Sequence, residues 1–462
     1  MSIKLKPLRL AAAAFLLWGP ALLCAPALLS TPAYAVDLVG VHDLAVQSDP
    51  RLQAAAFRRD ATGENKAIAR ANLLPQIGAG GALSYGDSDT DIPGFDQTIE
   101  SDIDTENYRL ELRQSLYRQS NYELLDVARG QISQADAIYQ IAYQDFLLRV
   151  SERYFLVLTL IDGVTFAEAE EKAFQRQFEQ AEQRFEVGLT AVTDVHEARA
   201  TYDNARARAI VARNDLEDAK DALTELTGQY FEEYDTLQEV LPLVEPDPIA
   251  ADEWVDIALQ NNPSVLASRA AVDIADANMR LARAGHFPTL DLLGTYNQFS
   301  DNKYTYTDPI TGNQVLGALD AEDSQLQLSL TVPFYQGGRV SAQTRQARYL
   351  LDATGRDLDD VQRGVVRQTQ TAYRAVIAGI QEVEAFQQAS ISAESALEAT
   401  QAGFEVGTRT IVDVLIAEQR KYQAQRDNSI ARHAYIIRHL RLKSVAGLLE
   451  AEDLRVVNQL LQ

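Results

Sequence analysis

The sequence predicts a mixed, mainly α chain built twice over: two tandem halves, each with one strand hairpin and a very long helix packed as a coiled coil. Three observations predict it. Arg184–Val195 is RFEVGLTAVTDV and Gly403–Val414 is GFEVGTRTIVDV, with six of twelve positions identical. Other landmarks recur at nearly the same offset. Pro50 and Pro263 are 213 residues apart, as are Pro75 and Pro288, while Gly188 and Gly407 are 219 apart, as are Gly228 and Gly447. Such repetition settles the architecture before any motif does. No proline occurs between Pro93 and Pro242 or after Pro333, and both stretches are rich in Ala, Leu, Gln, Glu and Arg, which favours uninterrupted helix. Finally, two matching segments alternate apolar and polar residues, the period of a strand.

Taken in order, residues 1–35 form a secretory leader: Lys4, Lys6 and Arg9 precede an Ala/Leu-rich run, and Ala33-Tyr34-Ala35 is a small-x-small cleavage site. The only cysteine, Cys24, falls inside the leader and follows Leu23, so neither a lipid anchor nor a disulfide is expected in the mature chain. Loss of the leader takes the net charge from −24 to −27, which argues against a phosphate backbone as partner; no nucleic acid is expected.

The first repeat is placed at 36–243 and the second at 244–462. A helix from about Pro50 to Leu74, stopped by Pro75, precedes a hairpin over 76–117. Ile77, Ala79, Gly81, Leu83 and Tyr85 share one face of its first strand, and Tyr108, Leu110, Leu112 and Leu116 one face of its second. The matching helix of the second repeat runs from Pro263 to Phe287. Its hairpin covers 289–334, with Leu326, Leu328, Leu330, Val332 and Phe334 opposite Gln325, Gln327, Ser329 and Thr331. One apolar and one polar face over about ten residues suits a membrane barrel strand. The acidic tips, including Asp87, Asp89, Asp91 and Asp104, are expected to be exposed loops without a ligand.

Each hairpin feeds a helix of roughly 65 residues, near Arg118–Val187 and Gly338–Val406, which would span about 100 Å. Helices of that length persist only by packing on one another. Tight turns at Gly188 and Gly407 reverse the chain into shorter helices that end at Gly228 and Gly447. The proline-bearing segment Tyr230–Asn262 and the tail after Glu450 are expected to wrap the helices as a belt. Four strands cannot close a barrel, since about eight is the smallest closed size, so the chain should oligomerise. Two copies would give eight strands and little lumen; three would give twelve and room for a passage, which favours the trimer.

The turn VGTRTIVDVL (Val406–Leu415), LKSVAGLL (Leu442–Leu449), the stretch Arg184–Ala219 with ELTGQYF (Glu225–Phe231), and PFYQGG (Pro333–Gly338) closely resemble TolC-type outer-membrane efflux channels. The resemblance covers essentially the whole mature chain. It implies a homotrimer with a twelve-stranded transmembrane β-barrel in outer-membrane lipid and an α-helical barrel crossing the periplasm of a Gram-negative cell. It implies a passive exit duct for efflux of small molecules or type I secretion of proteins. The partners implied are a periplasmic adaptor and an inner-membrane efflux pump or ABC exporter.

The same resemblance makes Asp413, with Asp194 in the equivalent turn, a carboxylate ring at the periplasmic gate. It makes Arg409 a latch that bonds to Thr193 or Asp194, and Gly188 and Gly407 the tip turns. Read from the residues alone, Asp413 is an acid in the first turn of a helix, where it complements the dipole. Two positions depart from the family pattern. Phe404 stands in place of a tyrosine, which removes a hydroxyl link to Asp194, and Ile416 stands in place of a second ring acid. No catalytic residue, metal site or cofactor is expected: the five histidines lack ligand spacing, and no nucleophile elbow or phosphate-binding lysine motif is present. The competing reading is a periplasmic helical scaffold or adaptor whose strands form a soluble sheet.

Overall fold

A computed structural model describes residues 35–91, 98–307 and 314–462. The expected leader, apart from Ala35, and residues 92–97 and 308–313 lie outside the described residues. Helices α1 (Leu38–Ser48), α2 (Pro50–Gly63) and α3 (Asn65–Ala71) lead into strands β1 (Gln76–Asp91) and β2 (Thr98–Arg118). Strand β2 passes directly into α4 (Gln119–Glu186, 68 residues), and α5 (Val192–Thr227) returns. The order then repeats: α6 (Ala251–Asn261), α7 (Pro263–Arg283), β3 (Thr289–Thr307), β4 (Gln314–Thr331), α8 (Arg339–Glu405, 67 residues) and α9 (Ile411–Val445). A short α10 (Ala451–Asn458) closes the chain.

The four long helices pack as two hairpins, α4 on α5 and α8 on α9, with α4 against α9 between them. Because α5 and α9 are only about half as long, the upper halves of α4 and α8 need other neighbours. Helices α2, α3 and α7 supply them: α2 and α3 pack on α4, and α7 packs on both α4 and α8. The main core lies where these sets meet. Phe146, Tyr154 and Phe155 of α4, Leu223 of α5, Val376 of α8 and Leu440 of α9 are buried there, with Leu38, Trp254 and Leu454 from α1, α6 and α10. The belt is stitched by backbone pairing: Val36 bridges Tyr234 and Leu237 bridges Leu461. The Tyr154 hydroxyl donates to the Asp235 carbonyl at 2.9 Å. No described helix is long and apolar enough to cross a membrane.

The strands form one antiparallel sheet in the order β1-β2-β3-β4. Its register places Ile77 opposite Leu112, Ala79 opposite Leu110, Leu112 opposite Gly294 and Gly294 opposite Leu326. One face is therefore apolar across all four strands. Leu326, Leu328 and Leu330 on it are 74%, 62% and 65% exposed, far more than a soluble sheet leaves to water. The other face is polar. Arg118 pairs with Asp291 at 2.8 Å, and Arg109 donates to Asn297 at 2.9 Å. Among the described residues, the outward edges of β1 and β4 have no partner strand within the protomer.

The structure revises several expected boundaries. Of the expected acidic loop, Asp87, Asp89 and Asp91 are instead in β1 and Asp104 is in β2, where the antiparallel pairing continues through them. The first helix is two, α2 and α3, parted after Gly63, and its last turn ends at Ala71 rather than Leu74. Helix α1 precedes it, begun by Asp37, whose carboxylate accepts from the Gly40 N–H at 2.7 Å. Helix α6 occupies the last part of the segment expected to wrap the helices as a belt. Strand β4 stops at Thr331, so Val332 and Phe334 are not strand residues: Pro333 has no N–H for a ladder, and Phe334 is 94% exposed. A bulge between Ser115 and Tyr117 leaves Leu116 unpaired and sets Tyr117 opposite Leu290, so Tyr117 continues the apolar face.

Candidate functional site

The far ends of the two long helix hairpins lie together, and the sequence singled out both. At each, a glycine closes the long helix. Gly188 (φ +75°) donates to the Phe185 carbonyl at 2.9 Å, and the Leu189 N–H reaches back to Arg184 at 2.8 Å. Gly407 (φ +81°) donates to Phe404 at 3.1 Å, and the Thr408 N–H to Gly403 at 2.8 Å. This pair of bonds satisfies carbonyls that the helix end orphans, and it needs a left-handed residue.

The return helices begin differently. In α9 Thr410 and Asp413 form a capping box. The Asp413 carboxylate accepts from the Thr410 N–H and hydroxyl, each at 2.9 Å, while the Asp413 N–H donates to the Thr410 hydroxyl at 3.3 Å. In α5 the cap position is Ala191, which has no side-chain acceptor, and the hydroxyl comes one residue earlier: Thr190 donates to Asp194 at 2.5 Å. Bonds from the Thr410 backbone and hydroxyl, then the nearby Arg409 charge, lower the Asp413 carboxyl from its usual 3.8. Asp413 thus caps a helix and also stays ionised under mild acid.

The two tips are joined by an apolar seam. Phe174 and Ala181 of α4, Ala198 and Ala205 of α5, and Ile411 and Leu415 of α9 are buried in it. Phe178 stacks on Tyr202 with ring centres 6.2 Å apart. Phe404 packs against this seam, and the Arg184 guanidinium lies 4.6 Å over its ring. Asp194, Phe404, Thr190, Arg184 and Ile411 line one small cavity. The structure therefore brings Asp194 and Phe404 together without a hydrogen bond, and the ring that lacks a hydroxyl still offers its face to a cation.

Thr193 and Arg409 are exposed, and neither makes a side-chain hydrogen bond or ion pair within the protomer among the described residues. The stem of Arg409 instead rests on Gly403, where a Cβ would lie 2.8 Å from its Cγ. Ile416 is 43% exposed. Sequence reasoning missed Arg184, Thr190 and Thr410. The signal for Thr410 was present, as a threonine three residues before an acid, whereas Arg184 meets Phe404 only through the tertiary fold.

A family model described as "Outer membrane efflux protein" matches residues 41–229 and 254–448. The chain is 37% identical over 425 residues to the outer membrane protein TolC of Vibrio cholerae, with 92% of this chain and 94% of the relative covered. It is 30% identical to the alkaline protease secretion protein AprF of Pseudomonas aeruginosa, with coverage of 92% and 87%. Its fold matches a solved structure of CusC, from work on folding and transmembrane channel formation, with a TM-score of 0.74 at 17% identity, over 91% of this chain and 95% of that one.

Proposed function

The chain belongs to the outer membrane efflux protein family, and from that premise we propose that three copies close one barrel and one tunnel around a common axis. The protein is an outer-membrane duct for efflux and type I secretion that extends into the periplasm. Its family and relatives are channels rather than enzymes. One observation carries the trimer: an open four-stranded sheet with an apolar face and two outer edges unpaired among the described residues. Edge strands of 16 and 18 residues invite pairing by another chain, and three protomers joined edge to edge leave none free. At each level of the helical region a single protomer supplies four helices, so three enclose a twelve-helix tunnel. A soluble scaffold gives no reason for Leu326, Leu328 and Leu330 to face outward together.

In this assembly the apolar face meets lipid and the polar face lines the passage. Leu328→Arg should cost about 2–4 kcal/mol if the residue lies near mid-bilayer. The expected outcome is loss of the heat-modifiable trimer from the outer-membrane fraction. Gln327→Arg, one residue away and on the opposite face, should leave the trimer intact. Equal yields of both variants would reject the barrel orientation.

Threefold symmetry turns the tip into a set of rings. Asp413 forms a carboxylate ring at the narrow end, with Asp194 beside it in the neighbouring turn. Arg409, exposed and without a side-chain hydrogen bond or ion pair among the described residues, reaches Thr193 or Asp194 across a protomer boundary, as a latch. A solvated pair of this kind is worth ~0–1 kcal/mol, so three of them shift the closed fraction several-fold. Arg409→Ser should raise resting conductance in planar bilayers to that extent; an unaltered value removes Arg409 from the gate. A periplasmic adaptor gripping the tip, driven by an inner-membrane pump or ABC exporter, would supply the force that separates the rings.

A further inference from the structure

Along α9, Val414 and Leu415 each stand three or four residues from both Ile411 and Glu418, so the four share one face. The first three are buried apolar residues, and Ile411 and Leu415 belong to the seam just above the tip. Glu418 continues that row and is 7% exposed, yet it is a carboxylic acid, and its Oε2 has no hydrogen-bond partner. The corresponding residue of the first copy is Arg199, which is exposed and lies 3.9 Å from Asp203. A buried acid at this position of the return helix is therefore particular to the second copy.

Its surroundings do not neutralise it. From α4, Arg176, Gln177 and Glu170 face it. Glu170 is itself 3% exposed and its charge is taken by Arg208 of α5 at 2.8 Å. On its own helix stand Lys421, drawn away to Glu394 of α8 at 2.8 Å, and Tyr422. Among the described residues Glu418 forms no ion pair. A buried carboxylate in that position is costly, and the neutral acid costs much less.

We propose that Glu418 is a positioning residue of the periplasmic gate: whether it carries a proton decides how firmly α9 stays seated on α4 and α5 above the Asp413 turn. The proposal rests on the reading of the tip as the gate. Burial, helped by Glu170, raises the Glu418 carboxyl from its ordinary 4.5 against the opposing pull of Arg176, Lys421 and Gln177. Unseating α9 returns the carboxyl to water and to its ordinary value. The closed tip thus binds the proton more tightly than the open one. Closure is fully favoured below the ordinary value and loses that support as pH rises through the raised one. Asp413 does not blur this window, because its own carboxyl is lowered from 3.8 and stays charged across it.

The test records opening of the reconstituted trimer in planar bilayers from about pH 7.5 down to about pH 4.5. Wild type should close on acidification, with open probability falling roughly tenfold. Glu418→Gln keeps the shape of the neutral acid and should stay closed at both ends, giving a flat profile. Glu418→Met, which fits the apolar row, should be equally flat, so the idea is still tested if one variant assembles poorly. A wild-type profile in either assembled variant overturns the proposal. Asp413→Asn in the same experiment separates the two ideas: it should retain the pH profile and lose cation preference. Loss of neither would count against the gate itself rather than against Glu418.

Discussion

Gly447→Ala is expected to remove most of the assembled trimer, whereas Gly228→Ala, at the equivalent place in the first copy, should be tolerated. Both glycines end a return helix with positive φ, +77° and +73°. Either substitution therefore incurs left-handed strain of about 1–2 kcal/mol. The surroundings separate them. A Cβ on Gly228 meets only the Ser48 side chain, at 3.5 Å and beyond. A Cβ on Gly447 would lie 2.4 Å from the Asn261 carbonyl oxygen and 2.8 Å from the Asn262 nitrogen. These atoms are backbone at the junction of α6 and α7, and Asn262 also caps α7 and donates to the Val445 carbonyl at 2.7 Å. Relief requires the junction to move, which adds about 1–3 kcal/mol. The sum is a large fraction of the ~5–15 kcal/mol that holds most domains folded. Thermal melts and trimer yield of the two purified variants check it, and equal losses would mean that the close approach is unimportant.

This pair also shows what the duplication made legible. The offset of 213 that links Pro50 to Pro263 holds over the preceding helix as well: Leu38–Ser48 maps onto Ala251–Asn261, each 11 residues long, and Asp49 and Asn262 cap the helices that follow. Extending the repeat upstream would have found both. Instead, Pro242, Pro246 and Pro248 mark the expected belt segment, which gives way to helix at Ala251. The long helices and the alternating hairpins were legible because their periods persist over tens of residues. The bulge at Leu116 was not, because one extra residue keeps the alternation in sequence while shifting it in space. At the tip, the glycine turns and Asp413 stood out as repeated motifs. The contacts of Arg184 with Phe404 and of Glu418 with α4 are made by residues more than 200 positions apart, and no local pattern announces them.

Asp413→Asn should abolish most of the cation preference of the duct while leaving its tip folded. The asparagine oxygen can still accept from the Thr410 N–H and hydroxyl, so the start of α9 keeps its cap. In the proposed trimer, what disappears is three negative charges around one axis. A narrow passage lined by a single sign of charge concentrates counter-ions by a factor of 10 or more, so the cation-to-anion permeability ratio should fall roughly tenfold at low salt, and less at high salt, where screening already weakens the ring. Asp413→Ala removes charge and cap together. If it alters selectivity as Asp413→Asn does but also raises resting leak, the charge and the cap are separate contributions. Selectivity of the unaltered protein should survive acidification past the ordinary carboxylate value. The Asp413 carboxyl is held below 3.8, and its charge is lost only as pH falls through that lowered value. A duct that turns anion-selective, or loses preference, well above that point would place the selecting charge on some other group. An unchanged ratio in Asp413→Asn would move the constriction away from this turn.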